Sequence, residues 1–528
     1  MPAFIRSWMA PSRTAVILLK VFWLSSVQGL STESYSIDLN DTQITTGFPP
    51  CDALISANLS HAVHLPSSPL YDPLLDSYWS LNARKAPWCF VTPSTASEVA
   101  QTVRALQSID GAGDWHIAIR SGGHGGDNTN NIAEGVTIDL SQLNATTYDA
   151  ATNVASVGTG ARWLSVYSEL AKSDVGVTGG REGEVGVGGF TLGGGISFYT
   201  GRTGFACDSV VNFEVVLASG ETVNANASSH SDLWRALKGG GSNFGIVTRI
   251  DLMAFPAQNM SMEVRSIGIE HAETVFDAAA AFADFNRSFQ DNAMLASVAY
   301  SPVSGNITAS VIEVNARDDA NATAFDAFNS IPTLAPSKKE SVNLVDSANR
   351  SSTASAPSLR NAVSSLTIAN DPAVLRYCIE EHASLVADMN STLGPQRFAT
   401  ITEVQSIPAY FADISEAKGG NMLGLERGSR NKTLLVFGVT LVGPSSDEEY
   451  RRVYQRVAAM GSRIEAFAKS VGASEQFVYM NYAHSNQDPL GSYGAANVKH
   501  MKQVARKYDR KGFFQRRVPG GFKISRVA

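Results

Sequence analysis

Apolar residues recur with two different periods along this chain, and the change of period divides it. Between residues 51 and 255 the apolar runs are short. Thr95-Ala96-Ser97-Glu98 has the spacing of a capping box and predicts a helix running through Leu106, followed by short buried strands at 115–120 and 136–140. Residues 162–172 carry apolar positions at helical spacing. Residues 210–217 predict a strand turned by Ser219-Gly220, 231–237 a short helix, and 246–254 a further strand. From about 258 the glycines thin out and longer helical patterns appear at 272–285 and 447–471, which marks a second domain. Residues 330–358, rich in Ser, Pro and Ala, predict a surface loop. Beyond 471, residues 476–482 alternate as a strand does and 497–508 read as a helix. The tail carries Val518-Pro519-Gly520-Gly521-Phe522.

The first thirty residues follow a different order. Arg6 and Arg13 precede an apolar run from Ala15 to Leu24, broken only by Lys20, and small and polar residues then lead to Gly29. This is the order of a secretory signal peptide over residues 1–29. The run is about half of the ~20 apolar residues a membrane span needs, and no later segment reaches that length. Eleven Asn-X-Ser/Thr sites, from Asn40 to Asn431, agree with N-glycosylation on a secreted or lumenal protein.

Composition narrows the function classes. Of 528 residues 44 % are apolar and the formal net charge is −7, so a folded protein is expected and the concentrated basic face that nucleic acid requires is missing. Four scattered cysteines make neither a disulfide scaffold nor a zinc module. Cys51 and Cys89, both in polar, loop-like surroundings, are the best candidates for a bridge, whereas Cys207 reads as buried. His61 and His64 are near each other, but no carboxylate or Cys completes a metal site, so no metal is expected.

Glycine carries the candidate chemistry. Arg120-Ser121-Gly122-Gly123-His124-Gly125-Gly126 directly follows a predicted strand, where glycines let successive N–H groups converge on an anion. A second cluster runs from Val185 to Gly195 and is apolar between its glycines, so its backbone can lie against a flat apolar body. A third, Gly239-Gly240-Gly241-Ser242-Asn243-Phe244-Gly245, precedes a strand. Neither the ordinary dinucleotide fingerprint nor a Walker-type loop is present. His124-Gly125-Gly126 has the look of a lipase oxyanion segment, but the G-x-S-x-G nucleophile elbow that must accompany it is missing.

Taken together these segments resemble the berberine-bridge-enzyme-like FAD-linked oxidases of the vanillyl-alcohol-oxidase, or PCMH-type, fold group, in a fungal-type form. The matching stretches are 120–125, Ile138-Asp139-Leu140, 185–195, 205–208, 212–216, Asp232-Leu233-Trp234 and 239–248, with Tyr479-Met480-Asn481-Tyr482 and 493–513 at the far end. The resemblance implies an α+β protein. Its FAD-binding domain, of two α/β subdomains, is assembled from residues 51–257 and 471–528, and an antiparallel sheet covered by helices is inserted at 258–470 as the substrate domain. It further implies that Arg120, Ser121, Gly122, Gly123, His124, Gly125, Val185, Gly188, Gly189, Leu192, Gly193, Gly194, Gly195, Asp208, Gly245, Val247, Tyr479 and Asn481 surround FAD. His124 would be bonded to the 8α-methyl carbon of the flavin. Many relatives add a second bond through a Cys shortly before the Val-Gly-Val-Gly-Gly segment. Gly179-Gly180-Arg181-Glu182-Gly183-Glu184 has none, so a single bond is expected. Ile196 stands where plant relatives carry a Tyr.

The reaction this implies is removal of two electrons from a small organic molecule in secondary metabolism, with oxygen as acceptor and hydrogen peroxide as product. Val185 is small enough to leave oxygen a path. A base must take the substrate's O–H or N–H proton. Tyr482 or Tyr479 is the candidate base, and Asn481 a positioning donor. If 476–482 is a strand, Tyr479 and Asn481 share one face and Tyr482 takes the other, unless a bulge brings all three together. Two alternatives stand beside this reading: a carbohydrate oxidase forming a lactone, and a redox-silent flavin-binding protein.

Overall fold

The computed structural model describes residues 45–126, 129–354 and 359–528; the predicted signal peptide and Asn40 lie outside them. The short strand signals before residue 260 build two sheets. In the first, Val63–His64, Cys89–Val91, Gly135–Asp139 and His116–Arg120 lie in that order, and the last three are parallel. Parallel neighbours need a crossover, and the helix Ala96–Ser108 supplies it. Thr95 Oγ1 accepts the N–H of Glu98, while the Glu98 carboxylate takes the N–H of Ser94, one residue earlier than a strict capping box. Cys51 and Cys89 form a disulfide that ties the helix Pro49–Leu54 to this sheet. His61 and His64 go separate ways, to Glu98 and to Thr92.

The second sheet is antiparallel throughout, in the order Thr146–Asp149, Val154–Gly158, Ile246–Pro256, Val210–Val216 and Thr222–Asn226, with Val175–Val177 on the far end of Ile246–Pro256. Its core gathers Trp163, Phe213, Ile250 and Phe244, and C-terminal residues join them. Met501 and Val504 of the helix Ala495–Tyr508 are buried in the same cluster.

The third sheet holds seven antiparallel strands, all drawn from residues 260–441: Glu340–Val342, Met260–Gly268, Asn306–Asn315, Asn292–Ser301, Phe398–Ile407, Lys432–Leu441 and Arg360–Ala369 in spatial order. The helices Ala272–Ala283, Pro372–Leu393 and Asp447–Ser470 share its core through Phe276, Leu375, Cys378, Val457 and Ile464. Hydropathy hides these strands. On Phe398–Ile407 the alternate residues Phe398, Thr400, Thr402 and Val404 are buried, and two of those four are polar. The buried His382 bridges both hydroxyls, with Nδ1 at 2.8 Å from Thr402 Oγ1 and Nε2 at 3.0 Å from Thr400 Oγ1. Burial lowers its pKa to about 4, so a neutral imidazole does the bridging. The predicted loop at 330–358 is also corrected: it carries the strand Glu340–Val342 and the helix Leu344–Ala354, which Asn343 starts by accepting the N–H of Asp346. No described helix is long and apolar enough to cross a membrane.

One strand pair sets a carboxylate against a carboxylate. Antiparallel register places Glu263 opposite Glu313. Arg265 lies 3.6 Å from Glu263 and 3.9 Å from Glu313, and neither Glu313 oxygen accepts a hydrogen bond from a described residue. Burial first, and then the Glu263 charge, push the Glu313 carboxyl up to about 7, with Arg265 and Lys339 pulling the other way. The folded chain therefore keeps a proton that the unfolded chain releases above about 4.5. Stability falls as pH rises from there and has fallen fully above about 7. Glu313→Gln is expected to be more stable than the parent at pH 8 by about 1–3 kcal/mol, with the gap closing below pH 4.5. Thermal melts of both proteins across that range check it, and a gap that does not change with pH contradicts it.

Candidate active site

All three glycine segments meet, and they meet through backbone. An ideal Cβ on Gly122 would stand 2.5 Å from Gly186 N and 2.6 Å from its Cα, so the first and second segments touch where neither has a side chain. Ser121 Oγ fastens the contact, donating to Thr159 O at 2.6 Å and accepting the N–H of Gly188 at 3.2 Å. The third segment joins the second through Gly241 N–H to Leu192 O at 3.1 Å. Part of the second segment is a short helix, Val187–Leu192, rather than an open loop. Gly194 and Gly195 follow it at φ 111° and 87°, values that exclude most L side chains.

The C-terminal segment closes against this junction. Residues 476–482 form no ladder: the chain runs extended to Tyr479 and then makes a 3-10 turn over Met480–Tyr482. The turn gathers all three residues that strict alternation would have divided. Tyr479, 1 % exposed, accepts at its hydroxyl oxygen from Gly195 N (3.0 Å), Ile196 N (3.0 Å) and Asn481 Nδ2 (3.1 Å). Burial drives its pKa far up. That oxygen is committed to holding the glycine backbone. Asn481 also donates to Phe190 O at 2.9 Å and presses its Oδ1 against Gly193, so it too is a clamp on the segment.

Tyr482 stands differently. It packs edge-on to Tyr479 with ring centroids 5.0 Å apart, and its hydroxyl accepts from Arg181 Nη2 at 2.7 Å. Arg181 Nη2 also donates to Gln405 Oε1 at 3.0 Å, and the Gln405 amide in turn donates to Glu403. Burial pushes the Glu403 carboxyl up, against the pull of Arg181 and Gln405. Burial also works against the charge on Arg181, but Tyr482, Glu403 and Tyr479 outweigh it and hold the guanidinium above its ordinary range. Arg181 Nε and Nη1 make no hydrogen bond to a described residue. Arg181 also lines a small cavity of about 50 Å³, partly open to solvent, together with Ile196, Phe198, Phe282, Phe285, Phe289 and Tyr410. The result is an aromatic-lined cavity with the Arg181 guanidinium and the Gln405 amide in its wall, and Tyr482 tied to that wall through the bond from Arg181.

Four further residues expected at the cofactor have partners inside the protein. Arg120 turns inward, lying 3.0 Å from Asp139 on the adjacent parallel strand and donating to Leu74 O and Ser77 Oγ, so it supports Gly123 from beneath. The Asp208 carboxylate accepts from Phe205 N, Ser415 Oγ and Asn421 Nδ2, which ties the second glycine segment to residues near the third sheet. Gly245 makes room for Val215 and Val216, and Val247 is buried, with its carbonyl accepting from Thr159. Trp79, Arg181, Glu182, Gln405 and Glu403 were not foreseen. Arg181-Glu182, two charges wedged between glycines, was the one signal available for them.

The residues present suit FAD. The N–H groups of Gly122, Gly123, His124 and Gly125 donate to no described residue, which is the nest an anionic diphosphate or an electron-rich ring edge uses. His124 is stacked on Trp79, with centroids 4.6 Å apart and planes 14° from parallel. Its Nε2 is buried 3.3 Å from the equally buried Glu182 Oε2, without the alignment of a hydrogen bond. Gly189 faces open space.

Comparison with known proteins agrees. A family profile described as an FAD binding domain matches residues 87–226. The FAD-dependent monooxygenase sdcF of Emericella nidulans is 34 % identical over 495 residues, covering 90 % of this chain and 98 % of that one. Berberine bridge enzyme bound to (S)-reticuline, in a variant form, superposes with a TM-score of 0.70 at 15 % identity, over 88 % of this chain and 97 % of that one. The carbohydrate oxidase of Microdochium nivale gives a TM-score of 0.70 at 18 % identity, over 88 % and 98 %. With its meeting glycine segments, the chain belongs to the family of FAD-dependent oxidoreductases that includes the fungal FAD-dependent monooxygenases, and it has the α+β, PCMH-type fold of berberine bridge enzyme.

Proposed function

We propose that the protein is an oxidase of fungal-type secondary metabolism that takes two electrons from a small, largely planar organic substrate, passes them to oxygen and releases hydrogen peroxide. The observation that carries this reading is the aromatic-lined cavity walled by Arg181, whose guanidinium donates to the Tyr482 oxygen. Bound FAD supplies the two-electron acceptor, held by the glycine segments and tethered once, at His124. The aromatic walls favour a conjugated molecule. The two unengaged guanidinium edges of Arg181 suit an acidic oxygen such as a phenol, enol or carboxylate. Tyr482 Oη is the candidate to accept the substrate's proton, with Arg181 donating to the same oxygen and offsetting the charge that develops there. A sugar groove calls for acidic side chains beside aromatic ones, and none of the side chains lining the cavity is acidic.

The same reading places the mature protein in the secretory pathway or outside the cell. The Cys51–Cys89 disulfide supports an oxidising compartment, and exposed Asn58, Asn144, Asn259, Asn306 and Asn321 are accessible for glycans. A second reading, favoured by the names of the fungal relatives, is monooxygenation, in which one oxygen atom enters the product. Anaerobic mixing with 4-hydroxybenzyl alcohol, whose CH2–OH carbon can lose two electrons to become an aldehyde, and, separately, with cellobiose tests the substrate class: the visible flavin band is expected to bleach with the aryl alcohol and persist with cellobiose. Admitting heavy-isotope dioxygen then separates the two chemistries. Oxidase action leaves all the label in peroxide, and label in the organic product overturns it.

A further inference from the structure

The segment in which a cysteine was sought brings a carboxylate to His124 instead. We propose that Glu182 is the positioning residue for covalent attachment of the flavin: it takes the Nε2 proton of His124 and so makes Nδ1 the attacking nitrogen. The inference rests on the single tether at His124 proposed above.

Three observations carry it. Nε2 of His124 and Oε2 of Glu182 are both buried, neither hydrogen-bonds elsewhere, and they lie 3.3 Å apart. A neutral imidazole bears one proton, and a carboxylate beside one nitrogen decides which. Nδ1, across the ring, makes no hydrogen bond to a described residue, and the side chain is 23 % exposed. Stacking on Trp79 holds the ring plane, so the two nitrogens do not exchange places without breaking that contact.

The carboxylate is held as firmly as the ring. Glu182 Oε1 accepts the N–H of Glu184 at 3.1 Å, Leu164 N donates to Gly183 O at 3.0 Å, and Gly183 N donates to Ala348 O at 3.3 Å. A Cβ on Gly183 would stand 2.7 Å from Ser352 Oγ and 2.8 Å from Leu164 Cβ, so the segment is pressed between the helices Trp163–Leu170 and Leu344–Ala354. The adjacent charges pair with each other, Arg162 lying 3.4 Å from Glu184. The attachment balances as follows. A bond forms between Nδ1 and the methyl carbon of the flavin, and one methyl C–H and the Nε2–H break. The imidazole proton passes to Glu182 and the methyl proton to solvent. The two electrons enter the flavin ring, and dioxygen then removes them as hydrogen peroxide.

The test uses full-length protein incubated with FAD in air, with the bond read as flavin fluorescence on a denaturing gel and as colour in an acid precipitate. E182Q keeps the volume and an acceptor oxygen but has no ordinary means of taking up the proton. It is expected to bind FAD and to form the bond at least tenfold more slowly, while E182D recovers much of the parental rate. E182Q forming the bond at the parental rate overturns the proposal. So does E182D remaining as slow as E182Q, since a carboxylate at this place is the claim. Wild type that releases all its flavin into acid removes the tether itself, and Glu182's part with it.

Discussion

Tyr482→Phe is expected to slow reduction of the bound flavin by substrate by about a hundred- to ten-thousand-fold, the usual worth of a positioned general base, while leaving FAD content unchanged. The reasoning is one of access. Two phenols stand side by side, but three donors already converge on the Tyr479 oxygen deep in the protein, whereas Tyr482 takes one short bond from Arg181, which lines the cavity, and a long one from Gln405. Removing the Tyr482 oxygen deletes the acceptor and leaves Arg181 and Gln405 facing substrate without their intermediary. Tyr479→Phe should behave otherwise: Gly195, Ile196 and Asn481 lose a shared acceptor, so stability and FAD retention suffer before chemistry does. Stopped-flow reduction rates and flavin-to-protein ratios for both variants check this. Equal reduction rates in Tyr482→Phe and the parent would move the base elsewhere, Glu403 being the next titratable group along the Gln405 contact.

Gly122→Ala is expected to abolish FAD binding and to cost about 3 kcal/mol of stability, the upper range for an overpacked site. The added methyl meets Gly186 N and Cα at 2.5 and 2.6 Å, and both are backbone, so no side chain can swing away to relieve the clash. Gly126→Ala is the matched control, since a Cβ there meets nothing within 4 Å, and it should keep parental colour and melting temperature. Absorbance and melting curves of the two variants check the pair. A yellow, parentally stable Gly122→Ala protein means that the first two glycine segments do not touch.

How much of this was legible in the sequence follows from the range of each interaction. The Thr95 cap, the strands flanking the glycine segments and the helix Ser231–Leu237 rest on neighbours a few residues away, and their patterns stand in the chain. The glycine segments were legible as well, because only a backbone that must pass close to something is so free of side chains. The seven-stranded sheet was not, apart from what the family resemblance implied, because Thr400 and Thr402 face inward to a buried imidazole and invert the expected alternation. Nor was the polar wall of the cavity: Arg181 reaches Tyr482 across 301 residues and Gln405 across 224, contacts that exist only once the third sheet has formed. Arg120 and Asp208 were expected at the cofactor from the family's motifs; the fold adds what the sequence did not show, that burial gives each charge partners inside the protein.

The central claim is that these segments hold FAD and that His124 fixes it in place. Acid precipitation of the purified wild-type protein and of His124→Ala, with the absorption spectrum of pellet and supernatant recorded for each, tests it most directly. The account predicts a yellow wild-type pellet, and for His124→Ala a colourless pellet under a yellow supernatant. A colourless native protein, or yellow that leaves with the supernatant in both, contradicts it.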